Sequence, residues 1–386
     1  MTPVSEHDER PTREAIIDLD ALRHNIRRLR ELTGVGELIV VVKADAYGHG
    51  AEAIARAAVE AGADRLGVAD ITEGVALRAA GITAPILAWL HGPQAAFGAA
   101  LDAGIDLGLS SVAQLDRVIE AARDRSSVVP VVQFKLETGL SRNGAAEADW
   151  PELFQAAAAA EAAGLVRVDG LFSHVSNTST DDDRAAAVRF ERGVALATEA
   201  GLAPRSLHLA ASAAALGEPS LRYDAVRLGL AVYGLSPFEP TDDAGRSADA
   251  FGLRPVMTLR ATVAAVRRVE PGAGVSYDYS YRTSTATTLA LIPLGYADGV
   301  PRSASNAGPV VINGRRYRVC GRIAMDQFVV DVGDDAVAVG DDAVLFGDPA
   351  SGAPRVEEWA EAAGTINYEL VTRIGPRVVR TTGERS

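Results

Sequence analysis

The 386-residue sequence is poor in cysteine and, more unusually, in lysine. Its single cysteine, Cys320, cannot form an intrachain disulfide and excludes the paired-cysteine motifs of zinc and redox sites. No basic run offsets the net charge of −13, so nucleic acid and anionic membrane surfaces are poor partners. No apolar stretch reaches the roughly 18 residues of a membrane span, and the polar N-terminus lacks a signal-peptide core. These absences predict a soluble, cytoplasmic protein without a metal site.

Lysine occurs only twice, at Lys43 and Lys135, among 38 basic residues, so the other 36 are arginine. Arginine serves a solvated surface as well as lysine does, but it cannot lose its proton, form a Schiff base or react as an amine. Each lysine ends an apolar run, 40–43 in one case and 131–135 in the other. We therefore expect both to have a chemical role. The alternative is that two ordinary lysines survive by chance in an arginine-rich chain.

Short apolar runs alternate with alanine-rich segments of helical spacing between residues 37 and 234. Continuous apolar runs, rather than alternating ones, are typical of strands that are buried on both faces. Eight such runs within about 200 residues predict a (β/α)8 TIM barrel, and the number eight argues against the alternative of a doubly wound open sheet. The runs are 37–43, 65–70, 84–90, 105–111, 128–137, 166–174, 206–212 and 225–230.

The composition changes after residue 235. Residues 235–254 are rich in proline, glycine and aspartate, which is typical of a linker or surface excursion. β-Branched runs follow from 256 to 346, and Asn313-Gly314 has the turn chemistry of a two-residue hairpin. The α/β barrel is thus predicted to be followed by a mostly antiparallel β domain with one short helix near 356–363. The predicted organisation is a tail at 1–12, a barrel at 13–240 and a C-terminal domain at 241–386.

Chemically active side chains stand at the predicted strand ends, where barrels carry their active sites. They are Lys43, Lys135, His174 and Arg227. Any one of them could be structural, but titratable groups gathered at one rim indicate a site. A lysine desolvated at a strand end should have a lowered pKa and a reactive free amine. Such an amine suits a Schiff base with an aldehyde cofactor, of which pyridoxal phosphate is the common one.

The loops after the seventh and eighth strands are where such barrels often bind a phosphate. Here they contain Ser212, Gly229 and Leu230, and Arg227 precedes the last two. If Arg227 meets the pyridine nitrogen of the cofactor, that nitrogen stays unprotonated, because a guanidinium does not give up its proton. A neutral pyridine is a weaker electron acceptor. It suits a reaction that only moves a proton and must avoid decarboxylation or transamination.

Ten consecutive residues, VVKADAYGHG at 41–50, resemble the pyridoxal-phosphate attachment motif of bacterial alanine racemases. The resemblance runs from about residue 13 to 380. It implies a barrel followed by a β domain, pyridoxal 5'-phosphate as cofactor, and a homodimer with shared active sites. The implied activity is the interconversion of L-alanine and D-alanine by two bases, which supplies D-alanine for cell-wall peptidoglycan. The other matching segments are 135–142, 173–174, 208–212, 227–234, 275–277, 295–299, 321–327 and 366–369.

The resemblance implies a role for each matching residue. Lys43 is the expected cofactor-binding lysine and one catalytic base. Tyr277 is the expected base on the opposite face, reaching the barrel of the other subunit. Because an unperturbed phenol is almost fully protonated near neutral pH, His174 and Arg227 would activate it if they are hydrogen-bonded together. Further implied groups are Tyr47, Ser212, Gly229, Leu230 and Tyr368 at the phosphate; Arg142, Met325 and Tyr296 at the substrate; and Lys135 as a carbamate that orients Arg142.

The sequence departs from the family pattern at a few positions near this expected site. Ala211 stands where asparagine is common, Ala324 where many members have cysteine, and Asp278 in place of a glycine. Residues 175–178 lack the usual Ala-Asp pair. None of these changes removes a catalytic group, but they bear on substrate range and cofactor affinity.

Three alternatives remain open at this point. One is a racemase of broader specificity, for example toward serine. A second is a related barrel-type amino-acid decarboxylase, although those enzymes present an acidic group to the pyridine nitrogen where this chain presents Arg227. The third is a pyridoxal-phosphate-binding regulatory protein without chemistry. The additional β domain that carries Tyr277, Tyr296 and Tyr368 argues against a lone barrel of that kind.

Overall fold

The structure is a computed structural model that describes residues 10–125, 128–238 and 245–383. It divides into two units. The sheet unit comprises Met1–Ala21, Tyr47–Gly50 and Arg254–Ser386, and the barrel unit comprises Leu22–Ala46 and Ala51–Leu253. Most of the predicted tail, and the boundary predicted between residues 240 and 241, lie outside the described residues.

The barrel unit contains the eight predicted strands, all parallel to their neighbours, in the order β8-β7-β6-β5-β4-β3-β2-β9. An isolated parallel bridge between Ala211 and Arg227 nearly closes the cylinder between β8 and β9. The predicted fold class is therefore confirmed. The strands are β2 (Glu37–Val41), β3 (Arg65–Val68), β4 (Ile86–Ala88), β5 (Asp106–Leu109), β6 (Val131–Lys135), β7 (Arg167–Phe172), β8 (Ser206–His208) and β9 (Ala225–Leu228).

Helices follow the strands, and polar side chains start several of them. Asp70, Ser111 and Ser179 each accept a hydrogen bond from a backbone amide in the first turn of the helix that they precede. The helical segments are α1 (Leu19–Thr33), α2 (Lys43–Gly48), α3 (Ala51–Glu60), α4 (Ile71–Ala79), α5 (Phe97–Asp102), α6 (Val112–Ala122), α7 (Trp150–Ala162), α8 (Thr180–Glu199) and α9 (Ser212–Gly217). None of the helices in the described ranges is long and apolar enough to cross a membrane.

Charged side chains at the N-terminal ends of the barrel strands form a network of ion pairs around buried Arg65 and Asp169. We call it the basal network, and it consists of Glu37, Arg65, Asp106, Arg167, Asp169 and Arg205. Arg65 donates hydrogen bonds to Glu37 (2.8 Å), Asp169 (2.9 Å) and Asp106. Asp169 also accepts from Arg205 (2.5 Å) and Arg167. Three cations thus meet three carboxylates, and the charges balance.

The sheet unit is built on nine strands in the order β11-β14-β17-β16-β15-β18-β10-β1-β19, antiparallel except where β1 meets β19. Asn313 (φ 50°) and Gly314 (φ 74°) make the predicted hairpin turn between β15 and β16. The strands after β9 are β10 (Met257–Thr262), β11 (Ala265–Val269), β12 (Gly274–Val275), β13 (Tyr281–Arg282), β14 (Thr287–Ile292), β15 (Pro309–Ile312), β16 (Arg315–Cys320), β17 (Phe328–Gly333), β18 (Asp342–Phe346) and β19 (Val379–Thr382). Two helices, α10 (Val356–Ala363) and α11 (Asn367–Thr372), complete it, α10 at the predicted place.

The first strand belongs to this sheet. β1 (Arg13–Ile17) pairs antiparallel with β10 and parallel with β19. The predicted barrel range began at residue 13, whereas the structure places residues 13–17 in the sheet unit. Nothing local in a five-residue strand specifies its pairing partner, which here lies more than 200 residues away along the chain.

Candidate active site

Lys43 opens a left-handed turn directly after β2. Ala44, Asp45, Ala46 and Tyr47 have φ between 52° and 54°, and the turn ends at Gly48. Each non-glycine residue in this conformation costs about 1–2 kcal/mol. Gly48 must lack a side chain, because a Cβ there would lie 2.2 Å from the Val371 carbonyl oxygen. The sequence motif therefore encodes a strained segment, which is typical of a functional site.

Both lysine amines stand without a hydrogen-bond or ion-pair partner among the described residues. Burial, together with the positive charges of Arg142 and Arg227, lowers the pKa of Lys43, and Glu73 partly opposes this shift. Burial, Arg227 and Arg142 lower the pKa of Lys135 to about 8. A lowered pKa increases the fraction of free amine near neutral pH, as the predicted chemistry of both lysines requires.

Four cations thus gather at the C-terminal rim of the barrel: Lys43, Lys135, Arg142 and Arg227. Each lysine has its pKa lowered by both arginines, which shows that the four charges are close enough to repel one another. Arg142 is exposed, whereas Lys135 and Arg227 are buried. Burying so much uncompensated positive charge is costly unless an anion binds there. The rim is therefore suited to phosphate and carboxylate groups.

Arg227, on β9, forms hydrogen bonds from two of its three guanidinium nitrogens to residues at the ends of β7 and β8. Nη1 donates to His208 Nδ1 (2.8 Å) and the His208 carbonyl (2.9 Å). Nη2 donates to the carbonyls of Ser173 (2.6 Å) and Leu209 (3.0 Å) and to His174 Nδ1 (3.1 Å). The Nε–H has no hydrogen-bond acceptor within the described part of the chain. The Arg227 Nε–H therefore remains available to a ligand, while both Nη atoms of the same side chain already use their hydrogens.

His174 is hydrogen-bonded to Arg227, as the activation of Tyr277 required. Because a guanidinium only donates, His174 Nδ1 must accept, and a neutral ring then carries its proton on Nε2. Burial and the charges of Arg227 and Arg142 lower the pKa of His174 to about 3, so the ring is neutral near neutral pH. It can donate a hydrogen bond from Nε2 to a phenolate oxygen, but it cannot take a proton at Nδ1.

Gln133 is a residue that sequence reasoning missed. His208 Nδ1 accepts from Arg227, so its Nε2–H donates to Gln133 Oε1 at 2.7 Å. Both side chains are fully buried, and burial lowers the pKa of His208 far below its usual value. Gln133 therefore fixes the His208 tautomer that Arg227 requires. The available signal was one amide inside the apolar run 131–135.

Ser212 and Gly229 meet at the end of the barrel predicted to bind phosphate. Ser212 Oγ is buried and accepts hydrogen bonds from the amides of Gly229 (3.2 Å) and Ala231 (3.4 Å). Leu230 begins a short 3-10 turn that ends at Gly234, whose φ is 74°. The seventh and eighth β/α connections thus provide a hydroxyl and adjacent backbone amides in one place.

Two tyrosines of the sheet unit, Tyr47 and Tyr368, form a pair with ring centroids 6.3 Å apart. Burial, together with Tyr368, raises the pKa of Tyr47, and burial raises the pKa of Tyr368. Both therefore remain neutral phenols that can donate a hydrogen bond to an anion.

Three loops of the sheet unit bring Tyr277, Tyr296 and Met325 to its surface, where 69%, 41% and 53% of each residue is exposed. The Tyr296 amide donates to the Ala324 carbonyl at 3.1 Å, which ties the second loop to the third. Ser276 Oγ donates to the Arg322 carbonyl at 2.6 Å, which ties the first loop to the third. Large exposed apolar groups held by an ordered scaffold are typical of an interaction surface.

The departures from the family pattern have visible local consequences. Asp278, in place of a glycine, has φ 60°, a conformation that favours glycine and that aspartate tolerates better than most residues. Ala211 precedes α9 without a side-chain hydrogen bond to the helix, unlike an asparagine. Ala324 contributes only its carbonyl to the loop contact with Tyr296. All three changes leave the backbone contacts of the site intact.

The barrel residues fit pyridoxal phosphate. The rim holds two lysines of lowered pKa, half-buried Lys43 and buried Lys135, and its uncompensated positive charge favours the binding of an anion. The available Nε–H of Arg227 can donate to an unprotonated ring nitrogen, and the Ser212 hydroxyl, which accepts from the Gly229 amide, can donate its own hydrogen to a phosphate. The aldehyde, the ring nitrogen and the phosphate of the cofactor therefore each have a chemically matched partner in the barrel unit.

The chain is similar to alanine racemases along nearly its whole length. Residues 17–237 match the alanine racemase N-terminal domain, and residues 256–382 match the C-terminal domain. The chain is 51% identical to an alanine racemase of Salinispora arenicola over 96% of this chain and 99% of that protein. It is 48% identical to one of Mycolicibacterium smegmatis over 95% and 94%.

Solved structures give the same result. The alanine racemase from D-cycloserine-producing Streptomyces lavendulae superposes with a TM-score of 0.94 at 47% identity, covering 98% of this chain and 99% of that one. The alanine racemase of Bacillus anthracis with bound L-Ala-P superposes with a TM-score of 0.87 at 32% identity, covering 97% and 96%. The resemblance read from the sequence is thus confirmed, and the chain belongs to the alanine racemase family of isomerases.

Proposed function

We propose that this chain is a cytoplasmic, pyridoxal-phosphate-dependent enzyme that interconverts L-alanine and D-alanine, and that its product D-alanine serves peptidoglycan synthesis. The single observation that carries the proposal is the bonding of Arg227. Its Nη atoms are saturated by five hydrogen bonds, while its Nε–H is available. A fixed cationic donor facing the ring nitrogen keeps that nitrogen unprotonated, which favours proton transfer over decarboxylation or transamination.

Lys43 would hold pyridoxal phosphate covalently and would give it up to the amino group of the substrate, which frees the Lys43 amine. The cofactor would supply the electron withdrawal that makes the α-hydrogen of that amino acid acidic. The chain's own residues then have to move one proton at one carbon. Lys43, whose pKa is lowered by burial, removes or returns the proton on one side. Tyr277 does so on the other side, and the Nε2–H of His174 stabilises its phenolate by donating a hydrogen bond.

Arg142 is proposed to bind the substrate carboxylate. The support for this role is its position in the cationic rim. The Met325 amide and Tyr296 complete this set from the sheet unit. Lys135 is proposed to be carbamylated. A pKa near 8 leaves a reactive fraction of free amine at neutral pH, and a carbamate would turn a repelling cation into an anion beside Arg142. Ser212, Gly229, Leu230, Tyr47 and Tyr368 are proposed to hold the cofactor phosphate.

The proposed active unit is a symmetric homodimer in which Tyr277 serves the barrel of the other subunit. Its support is the exposure of Tyr277, Tyr296 and Met325 on one ordered group of loops. The decarboxylase alternative is disfavoured by Arg227, because a guanidinium cannot protonate the pyridine as a decarboxylase requires. A broader racemase, active on serine as well, remains the second candidate, because Ala211, Ala324 and Asp278 depart from the usual pattern.

Chiral chromatography of the products formed from L-alanine, L-serine and L-lysine tests the activity. We expect D-alanine to form fastest and no amine to be released by decarboxylation. Equal rates with alanine and serine would favour the broader racemase, and release of an amine would contradict the proposal.

Subunit mixing tests the two-base dimer. Lys43→Ala and Tyr277→Phe proteins should each be nearly inactive, since racemisation needs both bases. After subunit exchange, a mixed dimer holds one intact site, so activity should return. Mass spectrometry can verify the exchange. No recovery after verified exchange would mean that Tyr277 serves its own barrel.

A further inference from the structure

The strained turn after Lys43 has an exposed half, Ala44 and Asp45, and a buried half, Ala46 and Tyr47. Within the turn, the Ala46 amide donates to the Val42 carbonyl at 2.9 Å, and Asp45 Oδ1 accepts from the Ala51 amide at 2.7 Å. Ala44 and Asp45 are exposed. None of residues 44–47 is a glycine, so the left-handed conformation has no local preference in its favour.

Glu73 supplies a clamp from the neighbouring β/α unit. Its Oε1 accepts from the Ala44 amide at 2.6 Å, and its Oε2 accepts from the Ala69 amide at 2.8 Å. Glu73 lies in the first turn of α4, where its own amide donates to Asp70 Oδ1 at 3.0 Å. One rigidly placed carboxylate thus joins the residue after Lys43 to the end of β3.

Packing holds only the second half of the turn, where Ala46 and Tyr47 are buried. A cleft of about 410 Å³ lies beside the turn, and Val42, Asp45 and Glu73 are among the residues that line it. On the exposed side of the turn, at Ala44 and Asp45, hydrogen bonds rather than packed side chains therefore hold the backbone. The hydrogen bond from the Ala44 amide to Glu73 joins the exposed half of the turn to the next β/α unit.

We propose that Glu73 is a positioning residue for Lys43, because its carboxylate holds the Ala44 amide and keeps the turn left-handed. This inference rests on the proposed role of Lys43. Glu73 also provides the negative charge that partly opposes the lowering of the Lys43 pKa. Loss of the carboxylate would therefore free the backbone and change the charge beside the amine at the same time.

Hydrogen–deuterium exchange of the cofactor-free protein, followed by mass spectrometry of peptides covering 42–48, tests the clamp without any activity. Glu73→Gln should speed exchange in these peptides, because a glutamine has only one oxygen for the two amides. Glu52→Gln is the matched control. Glu52 lines the same cleft, is exposed and pairs with Arg56 on the surface. In the Glu52→Gln protein, peptides covering 42–48 should therefore exchange at the same rate as in the unmodified protein.

Kinetics of the loaded enzyme give the second measurement. Glu73→Gln should lower kcat about 10- to 100-fold, the order expected when a reacting group is displaced by about 1 Å. Glu52→Gln should leave kcat unchanged. If the unmodified protein racemises alanine while Glu73→Gln exchanges and turns over normally, the clamp is refuted and the proposed function stands. If the unmodified protein has no racemase activity, the proposed function fails independently of the exchange result.

A rescue variant separates positioning from ordinary helix capping. Ala44→Gly removes the penalty for positive φ at the clamped residue. Combined with Glu73→Gln, it should restore much of the lost kcat. If Glu73 only stabilised the start of α4, the glycine would restore nothing, and the inference would be overturned. If the Glu73→Gln protein does not fold, a double variant that is folded and active supports the clamp. A double variant that does not fold, or folds but is inactive, contradicts it.

Discussion

The two ends of the barrel treat charge in opposite ways. At the N-terminal end, the three cations of the basal network meet three carboxylates through direct hydrogen bonds. At the C-terminal end, the positive charges of Arg142 and Arg227 help to lower the pKa of both Lys43 and Lys135, and neither lysine is ion-paired among the described residues. The same strands carry both arrangements: β2 starts at Glu37 and leads to Lys43.

The difference distinguishes structural charge from functional charge. A buried cation whose partners are all within the protein leaves nothing for a ligand to satisfy. Buried cations that repel one another raise the free energy of the protein alone, and a bound anion lowers it. The uncompensated end is the one where the family resemblance places the cofactor and substrate. Substitutions at the two ends should therefore affect different measurements.

The largest effect is expected at the C-terminal end. Lys43→Arg keeps the charge but removes the amine, so racemase activity should fall by about 10⁴-fold or more, with stability nearly unchanged. Chiral product analysis measures the rate, and borohydride reduction followed by mass spectrometry measures covalent cofactor attachment. Lys135→Arg is the matched control, since it should retain covalent attachment at Lys43. Labelling of Lys135 instead of Lys43 would reverse the two roles.

At the N-terminal end, Arg65→Met should act on stability. It leaves buried Asp169 and half-buried Glu37 and Asp106 without their shared cation, and breaking such a network at a buried cation costs about 3–5 kcal/mol. Denaturant unfolding measures the loss, and kcat of the remaining folded protein should be unchanged. Arg205→Met removes another partner of Asp169, but its side chain is 71% exposed, so about 0–1 kcal/mol is expected. Equal losses for the two variants would contradict the importance of burial.

The smallest effect is a pH dependence at the same end. Burial raises the pKa of Asp169, but hydrogen bonds from Arg205 and Arg167 outweigh it and lower the pKa to about 2, from 3.8. A depressed carboxyl pKa stabilises the folded state above the unfolded-state pKa, and this contribution is lost as the pH falls toward 2. Asp169→Asn should therefore flatten the fall in unfolding free energy between pH 4 and 2. Asp102→Asn, at a surface pair with Arg125, should change that slope less.

The elements that could be predicted from the sequence depend on local patterns. Eight continuous apolar runs match β2 to β9 in number and place, and Asn313-Gly314 makes the predicted turn. The scarcity of lysine was enough to indicate a chemical role for Lys43 and Lys135. The pairing of β1 could not be predicted, because its partners β10 and β19 lie at the other end of the chain.

The sequence by itself therefore determined the barrel, the order of the two parts and the family, and it named the candidate site residues, since these follow from periodicity, composition and a contiguous motif. Only the tertiary structure decided that Gln133 fixes the tautomer of His208, that Arg227 keeps one donor available, and that Glu73 reaches the residue after Lys43. These hydrogen bonds join residues 19 to 75 positions apart. A local pattern carries no information about which distant side chains will meet once the strands are arranged around a closed barrel.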